Sequence, residues 1–506
     1  MTKPDVLLIM ADQLAPHFTG AYGHPLAKTP HLDALAARGM RFDAAYCNSP
    51  LCAPSRFSFM SGQLITNIAA YDNAAEFPAS IPTFAHYLRM QGYRTGLSGK
   101  MHFVGPDQRH GFNDRVTTDI YPADFAWTPD WDAPDERIDS WYHNMSPVKE
   151  AGPAMASFQI DYDDETGFAA RRWLFDRARD RAQGDPSPFA LVASFMHPHD
   201  PYVARPEWWN LYSDSEIDEP LHTFAPDAHD PHARRVMDGI EATTTPVTPH
   251  EIRQARRGYL ANVSYFDSMI GMLVQTLEEM GALDNTVIIV TSDHGDMLGE
   301  RGLWYKMTLF ERSARVPLVM AGPGVARGTA SNACSLVDVL PTLVEIAGGD
   351  PAAIETPLDG RSLWPLAQGK TDPVDEAISE YCAEMTGWPV LMIRRGRFKY
   401  IHCESDPPLL FDLVADPEEL CNLAQDPAHR ELSLQFAQEA AQRWDSQAIR
   451  ADVIANQKRR RAVHAVVGTG LGEAWDFNPP RDASQEYVRN HMDWEVAARR
   501  YRFPPD

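Results

Sequence analysis

The chain has 506 residues, of which 44% are hydrophobic, and its formal net charge at pH 7 is −24. This length predicts one large domain with a smaller one, and the apolar fraction is sufficient for a packed core. The acidic balance and the absence of a long basic cluster argue against nucleic acid or an anionic membrane surface as the main partner. No run of about 18 apolar residues occurs, so no membrane span is expected.

The six cysteines are too few for a disulfide framework in a chain of this length. The first apolar run, at residues 6–11, is too short for the core of most signal peptides and directly follows an acidic residue. We therefore expect a cytoplasmic protein. Residues 6–10 are instead typical of a parallel strand that is buried on both faces.

Strand and helix patterns alternate along the next 310 residues or so. Thr29 and Pro30 are typical of a helix start and Gly39 of its end, which predicts a helix between them. The other predicted elements are helices at 83–90 and 258–280 and strands at 93–98, 189–196, 287–291 and 316–320. This alternation predicts an α/β fold with a mostly parallel central sheet that is flanked by helices.

The pattern changes after about residue 375. Two apolar runs flank Arg395-Gly396, which is typical of a β-hairpin, and a strand at 409–413 and a helix at 432–444 follow. We predict three parts: a large α/β domain over 1–375, a small α+β domain over 376–450, and a polar tail without clear periodicity over 451–506.

Two pairs of polar residues directly follow predicted strands, Asp12-Gln13 and Asp293-His294. Because ligands bind beyond the carboxyl ends of the strands in open α/β sheets, these pairs can converge on one edge. Their donors suit a divalent cation: the majority of oxygens favours Ca²⁺ or Mg²⁺, and the imidazole leaves Mn²⁺ open. Either pair alone is also typical of acids that cap helices at strand ends.

Cys52 begins the sequence Cys52-Ala53-Pro54-Ser55-Arg56 at a predicted helix start. Free backbone N–H groups and the helix dipole favour an oxyanion at such a position. Four basic residues also follow predicted strands, namely Lys100, His102, His197 and Lys306. Each alone would be an ordinary solvated side chain, but all four are expected at the edge that carries the two polar pairs.

These segments together resemble the type I sulfatases of the alkaline phosphatase superfamily, over about residues 4–425. The motifs that carry the resemblance are Lys28-Thr29-Pro30-His31-Leu32-Asp33, the Cys-Ala-Pro-Ser-Arg sequence at 52–56, Gly99-Lys100-x-His102, Ser292-Asp293-His294-Gly295 and Leu410-Phe411-Asp412-Leu413. Within these enzymes the chain is most similar to the choline sulfatases, in segments 71–77 and 118–125 and in the tail at 481–491. The resemblance implies an alkaline phosphatase/sulfatase-like fold.

The resemblance also implies roles for the residues of the predicted edge. Cys52 would be oxidised to formylglycine, whose hydrated aldehyde is both a metal ligand and the nucleophile, and a formylglycine-generating enzyme would be the maturation partner. The other implied roles are Ca²⁺ binding by Asp12, Gln13, Asp293 and His294; contact with the aldehyde hydrate by Arg56 and Lys100; and release of sulfate by His102 as a base. His197 and Lys306 would bind the sulfate and assist the leaving oxygen, and Asn73 would add a sulfate contact. A homo-oligomer, either a dimer or a tetramer, is implied as well, with the tail reaching a neighbouring subunit.

Segment 121–143 contains six aromatic residues. Aromatic faces attract quaternary ammonium groups by about 0.5–2 kcal/mol each, so Trp127 and His143 are candidates for a trimethylammonium pocket, with Glu384 as its counter-charge. We therefore predict a sulfatase that hydrolyses choline sulfate. Two alternatives remain open: an arylsulfatase or phosphonate/phosphate ester hydrolase on the same scaffold, and a metal-binding relative without catalysis in which Cys52 stays a thiol.

Overall fold

The computed structural model describes residues 3–467 and residue 469. The strands are β1 (Asp5–Asp12), β2 (Met40–Tyr46), β3 (Arg94–Gly99), β4 (Asp114–Arg115), β5 (Gly152–Pro153), β6 (Phe189–Pro198), β7 (Val203–Ala204), β8 (Thr286–Ser292), β9 (Leu318–Ala321), β10 (Gly328–Ser335), β11 (Glu376–Tyr381), β12 (Val390–Arg395), β13 (Phe398–Cys403) and β14 (Asp406–Asp412). The helices are α1 (Pro30–Arg38), α2 (Cys52–Ser61), α3 (Phe84–Met90), α4 (Ser146–Lys149), α5 (Phe158–Ala182), α6 (Pro206–Trp209), α7 (Pro231–Gly239), α8 (Pro249–Glu279), α9 (Glu311–Ala314), α10 (Val339–Ile346), α11 (Trp364–Ala367), α12 (Arg430–Arg443) and α13 (Ser446–Val467).

An eight-stranded sheet forms the centre of the large domain, in the order β10-β2-β9-β8-β1-β6-β3-β4. Its neighbouring strands are parallel except at β9, which runs antiparallel to both β2 and β8. β1 is buried along its whole length, as expected of a central parallel strand with both faces covered. Helices α5 and α8 both pack on β6. The predicted α/β fold, with a mostly parallel sheet flanked by helices, is confirmed.

The sheet register brings the carboxyl ends of four strands together. Met10 of β1 pairs with Ser194 of β6 and with Thr291 of β8, and Gly99 of β3 also pairs with Ser194. The segments that continue from β1, β3, β6 and β8 therefore start at the same level of the sheet. This edge is the one at which the sequence predicts the polar pairs and the basic residues to meet.

Most of the predicted elements are found, with shifts at their ends. The helix predicted from residue 258 begins earlier, at Pro249, because Thr248 and Glu251 form a capping box around this first helical proline. The prediction followed apolar periodicity, whereas this helix start is specified by polar residues. Strand β6 likewise extends two residues past the predicted end at 196, to Pro198.

The small domain consists of the antiparallel sheet β11-β12-β13-β14 and of α12, which packs on β12 and β13. The predicted hairpin at Arg395-Gly396 is confirmed, and Gly396 has the positive φ of 58° that such a turn requires. The buried Lys399 ammonium joins this sheet to the large domain, since it contacts Glu311 at 2.7 Å and Glu419 at 2.8 Å and donates to the carbonyl of Leu309 at 3.0 Å.

Helix α13 begins at Ser446 and continues to Val467. The sequence predicts no element in residues 451–467, where the structure has most of this helix. The predicted segment at 481–491 and the rest of the tail from residue 470 lie outside the described residues, and the three-part division of the chain stays a prediction. Within residues 3–467, no helix is both long and apolar enough to cross a bilayer.

Candidate active site

Four residues form a buried cluster at the carboxyl edge of the sheet: Asp12, Cys52, Asp293 and His294. One ligand atom from each lies within 4.8 Å of the corresponding atoms of the other three. Asp12 ends β1, Asp293 and His294 directly follow β8, and Cys52 is the first residue of α2. The convergence predicted from strand ends is confirmed for these residues.

The guanidinium of Arg56 holds the cluster together. Its Nε donates to Asp293 at 2.8 Å and its Nη2 donates to Asp12 at 3.1 Å. Its Nη1 donates to the carbonyl of Lys100 at 2.7 Å and to the hydroxyl of Ser194 at 2.8 Å. One buried side chain on the first turns of α2 thus bonds to the ends of β1, β3, β6 and β8 together.

In both Asp12 and Asp293, one carboxyl oxygen contacts basic side chains and the other is directed towards the cluster. Oδ2 of Asp12 contacts Lys100 and Arg56, and Oδ2 of Asp293 contacts Arg56. Oδ1 of each faces Nε2 of His294, at 3.8 Å for Asp12 and 3.7 Å for Asp293. Burial alone would raise the pKa of Asp12, but Lys100 and Arg56 hold it well below its ordinary value, so this carboxyl group is ionised.

His294 is a neutral imidazole with a free lone pair on Nε2. Its Nδ1 lies 3.0 Å from the carbonyl of Gly295, a bond that only a protonated Nδ1 can make. Burial lowers the pKa of His294 to about 4, so Nε2 carries no proton at neutral pH. An imidazole that is fixed in this tautomer by a carbonyl is the usual form of a metal ligand.

The thiol of Cys52 lies 3.3 Å from Nε2 of His294 and 3.8 Å from Oδ1 of Asp12. Burial, together with the charge of Asp12, raises its pKa to about 11. The thiolate form is therefore scarce at neutral pH. As an unmodified cysteine, this residue is a poor nucleophile.

The donor set of the cluster fits a divalent cation, since it offers two carboxyl groups, an unprotonated imidazole nitrogen and the side chain of residue 52. Gln13 is adjacent but differently engaged. Its amide oxygen accepts from Lys306 at 2.6 Å, and its amide nitrogen donates to Asp296 at 2.8 Å. Metal coordination by Gln13 stays a prediction.

Lys306 and His199 form a second buried pair beside the cluster. Nζ of Lys306 lies 2.8 Å from Nε2 of His199, whose Nδ1 lies 2.7 Å from the carbonyl of Asp200. Burial and the charge of Lys306 lower the pKa of His199 well below its ordinary value. The pair therefore carries its positive charge on Lys306, with a neutral imidazole next to it.

His197 does not join the cluster, contrary to the prediction. Its Nδ1 lies 2.6 Å from Asp163, and its ring packs edge-on against Tyr265 at 5.0 Å. Because β6 continues to Pro198, His197 is still a strand residue, and the loop beyond the strand begins with His199. The sequence contained the signal for His199 in the repeated histidine of His197-Pro198-His199, and the structure places His199 next to Lys306, while the role of His197 stays a prediction.

His102 is a buried imidazole without a hydrogen-bond partner on either ring nitrogen. Burial, with the charge of Lys100, lowers its pKa to about 3, so the ring is neutral at neutral pH. Its backbone has a positive φ of 59°, and its N–H donates to Asp119 at 2.8 Å. An unpartnered ring on a strained residue is typical of a functional site.

The ring of His102 contacts the aromatic segment at 121–143. Its centroid lies 5.1 Å from Tyr121 and 5.8 Å from Trp127, and Trp127 lies 6.4 Å from the nearly parallel ring of Trp141. Trp131 has a different role, since it is fully buried and its indole N–H donates to the carbonyl of Ala383 at 2.7 Å.

The remaining predicted binding residues lie near the same site. His143 stacks on Tyr305 at 4.6 Å and has Nδ1 3.8 Å from Asp200. The amide oxygen of Asn73 accepts from the backbone N–H of Ala53, next to Cys52, at 3.0 Å. Glu384 is buried, one of its carboxyl oxygens has no hydrogen-bond partner, and burial raises its pKa to about 7.

Comparison with known proteins identifies the family. The family model described as Sulfatase matches residues 4–349. The chain belongs to the sulfatase family. Two further models match this sulfatase towards its carboxyl terminus: N-sulphoglucosamine sulphohydrolase, C-terminal, over residues 299–445, and Choline sulfatase enzyme C terminal, over residues 451–503.

The sulfatase is 47% identical to the choline-sulfatase of Rhizobium meliloti (strain 1021), over 99% of both chains. It is 30% identical to the multifunctional alkaline phosphatase superfamily protein PehA of Trinickia caryophylli, over 87% of this chain and 95% of that protein. Among solved structures, the phosphonate monoester hydrolase of Agrobacterium radiobacter matches with a TM-score of 0.70 and 25% identity, over 89% of this chain and 96% of that chain.

His199 lies next to Lys306, whereas His197 lies next to Asp163, so variants of these two histidines test which of them takes part in the reaction. We expect His199→Ala to lower kcat by about 10²–10⁴-fold, because the imidazole that accepts a hydrogen bond from Lys306 is lost, whereas His197→Ala should keep kcat within a few-fold. His197→Ala should mainly lower the free energy of unfolding, by about 1–3 kcal/mol, because a buried hydrogen bond to Asp163 is lost. Steady-state kinetics and urea denaturation of both variants measure this, and the opposite pattern would contradict the assignment.

Proposed function

We propose that this sulfatase hydrolyses choline sulfate to choline and sulfate. The choice of substrate rests on the buried carboxyl group of Glu384. One of its oxygens has no hydrogen-bond partner, and no cationic side chain among the described residues forms an ion pair with it. A buried carboxyl group without a partner is costly unless a ligand supplies the opposite charge. The 47% identity to a choline-sulfatase over the whole chain supports the same substrate.

The nucleophile is placed at residue 52. The raised pKa of its thiol argues that the cysteine itself does not attack the ester, which supports conversion to formylglycine. Once converted and hydrated, residue 52 supplies a hydroxyl group, and a divalent cation bound by Asp12, Asp293 and His294 would lower the pKa of that hydroxyl group. Ca²⁺ is the favoured ion because oxygen donors predominate, with Mn²⁺ and Mg²⁺ as alternatives.

Three buried cations compensate the charge of the sulfate group: Arg56, Lys100 and Lys306. Arg56 and Lys100 contact Asp12, Arg56 also contacts Asp293, and the charge of Lys306 acts on the buried Asp200 as well. Cations that are fixed in a solvent-free site stabilise developing negative charge without reorganisation. A bound divalent ion would add positive charge, which offsets the repulsion that a protein of net charge −24 exerts on an anionic ester.

Two groups move protons in the proposed reaction. An alkyl leaving oxygen is strongly basic, so it needs a proton, and the Lys306–His199 pair holds one between Nζ and Nε2. His102 is neutral and has no competing hydrogen bond, so it is available as the base for sulfate release. These roles revise the expectation for His197 and retain those for Lys306 and His102.

The trimethylammonium group is assigned to the aromatic segment. Trp127 lies beside His102, His143 lies near His199, and Glu384 provides the counter-charge, whereas the ring of Tyr121 already contacts the ammonium of Lys100 at 4.2 Å. Each aromatic face contributes about 0.5–2 kcal/mol to binding of such a cation. Asn73 is assigned a sulfate contact through its amide nitrogen, because its oxygen is engaged by Ala53.

Several properties of the whole protein stay predictions. None of the cysteines within the described residues is in a disulfide, and the cytoplasmic location stays a prediction. A homo-oligomer, either a dimer or a tetramer, also stays a prediction. Formation of the nucleophile requires a formylglycine-generating enzyme in the host.

The main alternative is an aryl sulfatase or a phosphonate or phosphate ester hydrolase, which the similarity to the Agrobacterium radiobacter enzyme and to PehA supports. Measuring kcat/KM for choline sulfate, ethyl sulfate, an aryl sulfate and an aryl phosphonate separates the two proposals. We expect choline sulfate to give the highest value. A preference for either aryl compound would reject the choice of choline.

Trp127→Ala is expected to raise KM for choline sulfate by about 2–30-fold more than KM for ethyl sulfate, since only the first substrate has a cation to place on the indole face. The same variant should retain its kcat for ethyl sulfate within a few-fold. An equal rise in both KM values would remove Trp127 from the ammonium site.

The raised pKa of Glu384 predicts a pH dependence of binding. Only the ionised carboxylate attracts the ammonium group, and below about pH 7 the unliganded enzyme holds this group protonated. KM for choline sulfate should therefore rise by about tenfold from pH 8 to pH 6, whereas KM for ethyl sulfate should change little. Glu384→Gln should have a high KM for choline sulfate that no longer depends on pH. Persistence of the same dependence in that variant would show that another group titrates.

A further inference from the structure

Helix α13 contributes to the substrate pocket without lining it. We propose that Arg460, on the buried face of this helix, is a positioning residue that fixes the Asn73 segment and the Trp127 segment relative to each other. The inference rests on the proposed function, because it assigns selectivity for the substrate's ammonium group to this arrangement.

Arg460 bonds to two segments that are far apart in sequence. Its Nη1 and Nη2 donate to the two carboxyl oxygens of Asp72 at 2.7 and 2.6 Å, a bidentate pair. Nη1 also donates to the hydroxyl of Thr128 at 3.1 Å. All three residues are buried, so water does not compete for these bonds.

Each bonded residue is the direct neighbour of a pocket residue. Asp72 precedes Asn73, whose oxygen accepts the N–H of Ala53 at the start of α2. Thr128 follows Trp127, whose ring contacts His102. The guanidinium thus connects the segment that touches the nucleophile helix with the segment that carries the proposed ammonium site.

Other residues of α13 support the same segments. Gln457, one turn before Arg460, accepts the backbone N–H of Trp131 at 2.9 Å. Asp452 accepts the hydroxyl of Tyr71 at 2.7 Å, and Arg450 donates to the carbonyl of Gly387 at 2.8 Å, three residues after Glu384. One helix therefore contacts all three segments from which the proposed choline pocket is built.

The chemistry of arginine suits this role. A guanidinium presents five N–H donors in a planar fork, which allows it to bind both oxygens of Asp72 and the Thr128 hydroxyl together. A lysine ammonium is a point charge on a flexible stem and fixes neither orientation as well. A buried ion pair is weak evidence for stability, since its desolvation cost is large, and its better-supported use is to select one arrangement of the chain.

The same helix offers a matched control. Lys458 pairs with Asp132 at 2.8 Å, and both side chains are about half exposed. This pair joins α13 to the same aromatic segment as Arg460 does, but from the solvent side. Lys458→Met therefore removes a cation from the same interface without touching Asp72 or Thr128.

The test uses the full-length enzyme and measures kcat/KM for choline sulfate and for ethyl sulfate in wild type, Arg460→Met, Arg460→Lys and Lys458→Met. In Arg460→Met we expect the ratio of the two values to fall about tenfold, because the indole is no longer held at the ammonium position. Ethyl sulfate turnover should also fall, because Asn73 shifts. In Arg460→Lys the ratio should fall by a smaller factor, and in Lys458→Met it should stay at the wild-type value.

The inference would be overturned if Arg460→Met kept the wild-type ratio of kcat/KM for choline sulfate to kcat/KM for ethyl sulfate. It would also be overturned if this ratio fell as much in Lys458→Met as in Arg460→Met. If Arg460→Met does not fold, Arg460→Lys decides, because it keeps a charge for Asp72 but loses the fork, and an unchanged ratio in that variant overturns the inference. If the proposed function is wrong, the wild-type enzyme itself shows no higher kcat/KM for choline sulfate than for ethyl sulfate, which distinguishes this outcome from failure of the inference. The positioning role is then judged by kcat/KM for the best sulfate ester, which must fall in Arg460→Met and not in Lys458→Met.

Discussion

The guanidinium of Arg56 is the interaction on which the rest of the site depends. It is fully buried, and it donates to Asp12, Asp293, Ser194 and the carbonyl of Lys100. These groups belong to the ends of four neighbouring strands, which would otherwise present two carboxylates to each other without solvent. Removal of one partner from such a buried network leaves an uncompensated charge, which costs about 3–5 kcal/mol. The bonds of Arg56 to one oxygen of each carboxylate also leave the other oxygens facing residue 52 and His294.

This division of the carboxylate oxygens explains how the site can serve both a cation and an anion. The oxygens that face His294 and residue 52 offer a place for a divalent ion, while Arg56, Lys100 and Lys306 are buried cationic groups beside it. A sulfate ester of choline has the inverse distribution, with an anionic head and a cationic tail. In the proposed function, the free carboxyl oxygen of Glu384 and the ring of Trp127 provide for that tail.

Much of the fold and the centre of the site follow from the sequence. Continuous apolar runs identify β1, β6 and β8, and residues directly after parallel strands must share an edge, which places Asp12, Asp293 and His294 together. The predicted strand ends differ from the observed ones where no change in amino-acid composition marks the end of the strand. Strand β6 continues through His197 to Pro198, so the histidine that faces Lys306 is His199.

Helix α13 illustrates a different limit of sequence reasoning. Its buried face includes Val453, Gln457 and Arg460, and two of these are polar residues whose partners are hundreds of residues away. Apolar periodicity is therefore weak, although the helix is long. Similarly, the partner of Gln13 is Lys306, and no local pattern could predict that an amide expected at a metal would bond to a lysine.

The central claim is that residue 52 acts as formylglycine within a buried carboxylate and imidazole cluster. The most direct test is mass spectrometry of the peptide that contains residue 52, from protein purified from its native host with active turnover. The account predicts a peptide whose mass is lower by the difference between a thiol and an aldehyde side chain. A fully active enzyme in which the sulfur is retained at residue 52 would contradict it.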